Sequence, residues 1–253
     1  GIFMITFIGN GNMALSIAKG LGSKRAIEVV GRDMAKLEAF EKNLGFGVSK
    51  GLLDGFDITD KEIVLCIKPY NVEEVAKKLK GKAKVIYSVL AGTTIEKLDE
   101  HFNSQAIVRV MPNLAADVGA SITTLCGDES FKARALEIFD SIGKTLWLGS
   151  QKELDIATAL GGSGPAYLAL IAEALADGAV KEGLKREDAM RVTEGLFSGF
   201  AKLLEQNHPA LLKDRVMSAG GTTAAGYSAL EDGGVRSACM GAISKAYKRA
   251  KEL

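Results

Sequence analysis

Histidine is almost missing from this 253-residue chain, which carries only His101 and His208. A histidine-rich metal site is thereby excluded, and no Ser/His/Asp arrangement is evident. Cysteine is scarce as well. Cys66, Cys126 and Cys239 lie far apart without Cys-x-x-Cys spacing, which reads as small core residues of a reduced, cytoplasmic protein and not as a disulfide framework or zinc site. Charge of one sign is also lacking: 32 basic and 31 acidic residues leave a net +1. The two signs are interspersed, so the chain has no electrostatic footprint for nucleic acid or an anionic membrane. Uninterrupted apolar runs fall short of a membrane span, and residues 1–8 lack the basic leader and cleavage region of a secretory signal. No repeat, low-complexity tract or long linker is present. What remains is length enough for one large or two modest domains with substantial cores.

Glycine, by contrast, is plentiful, and the most informative glycines stand near the N-terminus. Met4–Ile8 is an apolar run of the β-branched and aromatic residues that suit a buried strand. Gly9-x-Gly11-x-x-Ala14 follows at once, and Met13, Ala14, Ile17 and Ala18 continue at helical spacing. Strand, glycine turn and helix are the context in which this pattern means dinucleotide binding. The first glycine permits the tight turn, the second lets backbone approach a pyrophosphate, and the small third residue lets helix and strand pack closely. The helix N-terminus adds unpaired N–H groups and the positive end of its dipole. Plain α/β connectivity also uses a glycine turn there, so the fingerprint alone leaves the reaction open.

Ala26–Gly31 reads as a second strand and Met34–Leu44 as a helix, with Arg32 and Asp33 between them. An acidic residue about twenty positions beyond the glycines accepts ribose hydroxyls in NAD sites. Asp33 is either that acceptor or the N-cap of the next helix. The cap reading leaves Arg32, whose guanidinium suits a 2′-phosphate, and so predicts NADP(H); the plain alternative for Arg32 is a solvated surface arginine. Further buried strands are expected over 62–67, 84–90, 106–110, 121–126 and 144–148, with helices over 72–79, Ile95–His101 and 129–142. Residues 47–60 give no assignable pattern. Three strands end in Lys68-Pro69-Tyr70, Ala91-Gly92-Thr93-Thr94 and Met111-Pro112-Asn113, at the carboxyl edge where open α/β sheets take their ligands. The alternation predicts a doubly wound parallel sheet of Rossmann type over residues 1–150.

From about residue 151 to 253 strand patterns vanish and alanine-rich and leucine-rich helices take over. Residues 164–182 are apolar nearly all round, which predicts burial on most sides. In a terminal segment of about a hundred residues, that much burial calls for an intertwined partner subunit, hence an all-helical dimerisation domain. A helix over 185–206 carries a stripe of Met190, Phe197, Phe200 and Leu204, and a last helical pair breaks at Gly233-Gly234. Ser218-Ala-Gly220-Gly221-Thr222-Thr223 precedes a helical run over 224–231. Hydroxyls and exposed N–H groups at a helix start suit a carboxylate; an ordinary N-cap with a glycine turn explains the same residues equally. A second helix start of this kind is expected at Gly161-Gly-Ser-Gly-Pro165, with Pro165 as first helical residue, although close helix packing would also account for those glycines.

The chain resembles pyrroline-5-carboxylate reductase over nearly its whole length. The likeness rests on Phe7-Ile-Gly-Asn-Gly-Asn-Met-Ala14, Cys66-Ile-Lys-Pro69, Ser88-Val-Leu-Ala-Gly92 and Arg109-Val-Met-Pro-Asn113, then on Gly162-Ser-Gly-Pro-Ala-Tyr167, Lys213-Asp-Arg-Val-Met-Ser218, Gly220-Gly-Thr-Thr223 and Leu230-Glu-Asp-Gly-Gly-Val-Arg236. The resemblance implies NAD(P)H-dependent reduction of 1-pyrroline-5-carboxylate to L-proline by a homodimer, possible in higher assemblies. It implies a cofactor lined by Gly9, Asn10, Gly11, Asn12, Met13, Ala14, Lys68, Pro69, Ala91, Gly92 and Asn113, with Arg32 added from the reading above. Ser218, Gly220, Gly221, Thr222 and Thr223 would hold the substrate carboxylate, with the Thr223 hydroxyl near the ring nitrogen as the catalytic group. Two positions depart from the family: Leu114-Ala115 where Thr-Pro is usual, and Ala219 where proline is usual. Each lost proline frees a backbone φ and loosens a ligand loop. Two other classes compete. A β-hydroxyacid dehydrogenase would need a helix lysine, and neither Lys152 nor Lys181 sits in a fitting motif. A non-catalytic NADP-binding sensor would have no use for the hydroxyl-rich loop.

Overall fold

Ile5, Thr6, Phe7 and Ile8 are all buried, and with Met4 they form the central strand β1 (Met4–Ile8) of the computed structural model. The structure describes residues 3–217 and 221–253. Beside β1 run β2 (Ala26–Gly31) and β3 (Ser49–Leu52) on one side. A two-residue pair, β4 (Phe56–Asp57) with β6 (Leu79–Lys80), stands apart. On the other side of β1 come β5 (Glu62–Leu65), β7 (Val85–Ser88), β8 (Ile107–Met111), β9 (Ser121–Gly127) and β10 (Gly143–Trp147). The eight-stranded order is β10-β9-β8-β7-β5-β1-β2-β3. Chain direction thus reverses its march at β1, the switch point of a doubly wound sheet.

The sheet is mixed, not wholly parallel. β9 runs antiparallel to β8, with Val108 opposite Gly127. Only residues 112–120 join the two strands, too short a link for the crossover of a dozen or more residues that a parallel return requires. Residues 47–60, without an expected pattern, supply β3 and β4; these short strands contain Gly51 and polar residues in place of an apolar alternation.

Alternate residues of the strands enter two cores. Ile5, Phe7, Val64, Val85 and Tyr87 face one side, where α1 (Asn12–Leu21), α2 (Met34–Leu44) and α5 (Lys132–Phe139) cover them. Ile8, Ile63, Leu65 and Ile86 face the other, under α3 (Val72–Lys78) and α4 (Ile95–His101). At the first residue of β5, buried Glu62 receives both Nε and Nη2 of Arg134 at 2.9 and 2.8 Å and the Tyr87 hydroxyl at 3.2 Å. Burial, with the Glu62 charge second, pushes the Tyr87 phenol above its ordinary range, and the Glu62 bond raises Arg134 further. This network lies at the strand starts, opposite the ligand edge.

Two compact units emerge, Gly1–Ser163 with Ala246–Leu253 and Gly164–Lys245. The helices of the second half are α6 (Gln151–Ala157), α7 (Gly164–Lys181), α8 (Arg186–Gln206), α9 (Pro209–Met217), α10 (Gly221–Asp232) and α11 (Val235–Glu252). α7 begins at Gly164, inside the expected stretch Gly161–Pro165, but not as a free helix start: the π-helical turn Thr158–Gly162 leads into it from α6. Uninterrupted apolar runs stay short, although the helical run Gln151–Lys181 is long enough, and in one 18-residue window apolar enough at a mean hydropathy of 1.2, to cross a membrane by length and composition. Glu173 and Asp177 fall inside it. Burial on most sides of 164–182 is not reached within one chain. Among the described residues of the second unit only Ala176, Ala189, Thr193 and Leu212 are buried, whereas Leu170 and Met240 are 66% and 68% exposed. An apolar helical surface of that extent is a binding surface.

Candidate functional site

Three strand ends meet at Gly9. Its N–H donates to Val30 O at 3.0 Å, and the Cys66 N–H donates to Ile8 O at 2.8 Å. Gly9 has φ +106°, and a Cβ there would sit 2.1 Å from the Cys66 carbonyl oxygen. Only glycine fits both constraints. Gly11 is the N-cap of α1 and makes no side-chain cap bond. A Cβ on Gly11 would meet nothing within 4 Å, so its backbone opens directly to a cleft. Ala14, the small third residue, is fully buried against the sheet.

That cleft holds about 730 Å³, within the range of small-molecule and cofactor sites. Gly9 to Ala14 form its base. Arg32, Asp33 and Lys36 stand on one wall, Cys66, Ile67 and Lys68 on the other, with Val89, Met111 and Pro112 at the far end. The Asp33 carboxylate accepts from the Ala35 N–H at 2.9 Å and caps α2, as the cap reading expected. Arg32 pairs through Nη2 with Glu74 Oε2 at 3.1 Å, both side chains about half exposed at 49%. Burial pushes the Cys66 thiol up to about 12, which leaves it neutral and without nucleophilic character. An uncapped helix N-terminus with flanking cations is a site for phosphate groups.

Of the residues expected at the cofactor, Gly9, Asn10, Gly11, Asn12, Met13, Ala14, Arg32 and Lys68 come together here. Pro69, Ala91, Gly92 and Asn113 are not among the lining residues. Pro69 opens a 3-10 turn. Gly92 faces the Leu253 side chain, 3.4 Å from where its Cβ would be. The Asn113 amide is engaged in the fold: its Oδ1 accepts from the Ala115 N–H at 2.9 Å and its Nδ2 donates to Gly161 O at 3.0 Å. In the second unit Gly221, Thr222 and Thr223 form the first turn of α10; Ser218 and Gly220 lie outside the described residues.

Several neighbours were not anticipated. Lys36 stands one turn beyond the Asp33 cap, a spacing that does place it on the ligand-facing side of α2. Asn71 lines the cleft from the start of α3. Arg109, 1% exposed, pairs with Asp155 at 3.0 Å and with Gln151 at 3.3 Å. A charge inside the apolar run Ile107–Met111 was the available signal, since a buried charge needs a partner. Ser16 of α1 also donates to Asp117 in the turn Leu114–Val118. The outer face of that turn exposes Leu114 and Val118.

Two family models match different stretches of the chain. Residues 151–253 match the family model described as pyrroline-5-carboxylate reductase dimerisation. Residues 4–92 match that of NADP oxidoreductase, coenzyme F420-dependent. Pyrroline-5-carboxylate reductase of Glycine max is 39% identical, across 99% of this chain and 96% of its own. The structure of a pyrroline-5-carboxylate reductase from Coxiella burnetii superposes with a TM-score of 0.84 at 32% identity, covering 100% and 98% of the two chains. That of the Plasmodium falciparum enzyme with NADP bound gives 0.80 at 26% identity, covering 99% and 98%.

Proposed function

This chain belongs to the pyrroline-5-carboxylate reductase family, and from that premise we infer that it catalyses NAD(P)H-dependent reduction of 1-pyrroline-5-carboxylate to L-proline. The observation that carries the reading is the cleft itself. Its base is a glycine turn that rejects a Cβ at Gly9 and exposes backbone at Gly11, in a chain matched by reductases along its full length.

Held in the cleft, NAD(P)H would supply the hydride that reduces the imine carbon. The α1 N-terminus would hold the diphosphate, Arg32 with Lys36 would hold a 2′-phosphate in preference to a bare ribose, and Lys68, Pro69, Ala91, Gly92 and Asn113 would position or support the nicotinamide end. Ser218, Gly220, Gly221 and Thr222 would bind the substrate carboxylate through N–H and hydroxyl groups. The Thr223 hydroxyl would accept from the ring iminium N–H. A protonated imine is already electrophilic, and the amine product needs no proton beyond the iminium's. Residues that orient are therefore sufficient, which fits a cleft whose lining has no histidine and whose one cysteine is neutral. Lys152 and Lys181, the lysines a hydroxyacid dehydrogenase would recruit, are both exposed.

The reading extends to assembly. Residues 151–253 act as dimerisation and substrate-binding domain, beside a cofactor domain over 1–150, in a cytoplasmic homodimer. The apolar surfaces of α7, α8 and α11 support it. The decisive assay follows NADPH absorbance with pyrroline-5-carboxylate and then with hydroxyacids. Oxidation with the imine alone is expected; oxidation only with hydroxyacids, or binding without turnover, overturns the reading.

A further inference from the structure

The end of β2 carries an ion pair that cofactor binding alone does not explain. Arg32 Nη2 contacts Glu74 Oε2 at 3.1 Å. Glu74 belongs to the first turn of α3, while Arg32 lines the cleft. Glu74 also lies 3.5 Å from Lys78, whose Nζ is shared with Asp54 at 3.6 Å. Asp33 cannot stand in for Glu74, because its Oδ1 already caps α2. Lys36 is the second cation of the wall. The group that faces Arg32 is thus a carboxylate, the same kind of bidentate acceptor that a phosphate presents.

We propose that Glu74 sets cofactor choice: it competes with the 2′-phosphate of NADPH for Arg32 and holds the preference for NADPH over NADH below what Arg32 alone would give. The inference rests on the reading of Arg32 as the 2′-phosphate ligand. A phosphate arriving at Arg32 must either displace the Glu74 carboxylate or lie beside its negative charge, and both weaken its binding. NADH carries a hydroxyl at that position, makes no claim on the guanidinium, and leaves the pair intact. Because both partners are half exposed, solvent screens the pair and the competition is modest, about two- to fivefold in affinity.

The test compares wild type, Glu74→Gln, Arg32→Ala and the double variant. Two readouts are taken: the ratio of kcat/KM for NADPH and NADH, and calorimetric binding of 2′,5′-ADP against 5′-AMP. Glu74→Gln is expected to raise the ratio about two- to fivefold, mainly through KM for NADPH, and to tighten 2′,5′-ADP to the same extent without changing 5′-AMP. Arg32→Ala is expected to lower both, and Glu74→Gln to be silent on that background. A Glu74→Gln variant with an unchanged or lowered ratio overturns the inference while leaving Arg32 as ligand. An effect that persists in the double variant overturns competition through Arg32. If Arg32→Ala itself changes nothing, the reading of Arg32 fails.

Discussion

The side-chain amide of Asn113 donates to the carbonyl oxygen of Gly161 at 3.0 Å, and Gly161 stands four residues before Pro165, the position that has no N–H to give it. A proline inside a helix removes that bond and drives its ring toward the same carbonyl. The π-helical turn Thr158–Gly162 lets the helix pass through, and Asn113 supplies a donor from the end of β8. Asn113→Asp retains the oxygen that caps the turn Leu114–Val118 but sets a carboxylate against a carbonyl. A loss of about 1–3 kcal/mol is expected in urea unfolding. Unfolding that matches wild type would show the bond to be idle.

Two glycines of the fingerprint should fail in different ways. Gly9→Ala places a Cβ 2.1 Å from the Cys66 carbonyl oxygen at φ +106°, so the fold itself is expected to lose stability. Gly11→Ala meets nothing within 4 Å; its melting temperature should hold while NADPH binding weakens by about tenfold or more, about 1.4 kcal/mol. Fluorescence titration beside thermal melts separates the two, and equal melting losses would contradict this division of roles.

Much of this was readable in the residues. Apolar runs and glycine turns located β1, β2 and α2 to the residue, because local pattern and burial agree there. Asp33 as a cap and the gathering of the glycine turn with Arg32 followed from spacing, and Lys68 from the family resemblance. The antiparallel turn-back of β9 was missed because its cause is the length of a link, not a residue type. The π turn was missed because Pro165 has equally good reasons to start a helix, and only Asn113, distant in sequence, decides otherwise. Glu74 was invisible for a similar reason: nothing in 72–79 reveals that α3 packs beside the end of β2.

The Glu62–Arg134 pair should dominate stability at the far end of the sheet. Glu62 is 6% exposed and accepts two bonds from Arg134. Arg134→Met leaves that carboxylate without its cation and is expected to cost about 3–5 kcal/mol. Adding Glu62→Gln removes the buried charge and should restore part of the loss. A double variant no more stable than Arg134→Met would refute this account.

Acid should loosen the first unit in a defined window. Glu137 is held below its ordinary 4.5 by its bond from Arg25, and Glu41 by its bond from Lys50. Gln151 acts likewise on Glu96. A carboxylate with a lowered folded pKa contributes stability above its unfolded value, and loses it as pH falls through the folded value. Denaturation midpoints should therefore be level from neutrality to about 4.5 and fall below it, with a shallower fall in Glu41→Gln and Glu137→Gln. A decline that starts near neutrality would point to other groups.

Thr223 carries the sharpest test of chemistry. It is half-buried in the first turn of α10, next to exposed Gly221 and Thr222, and so is the more sheltered of the two threonines. If that hydroxyl accepts the iminium N–H, its removal costs one charge-assisted bond, about 1.5–3 kcal/mol. Thr223→Ala should then lower kcat about ten- to hundredfold, whereas NADPH affinity stays at the wild-type value. Thr223→Ser keeps the oxygen and should recover most of the rate, which a role in packing the methyl group would not allow. If serine and alanine lose turnover alike, the methyl group is what matters and the ring nitrogen has a different partner.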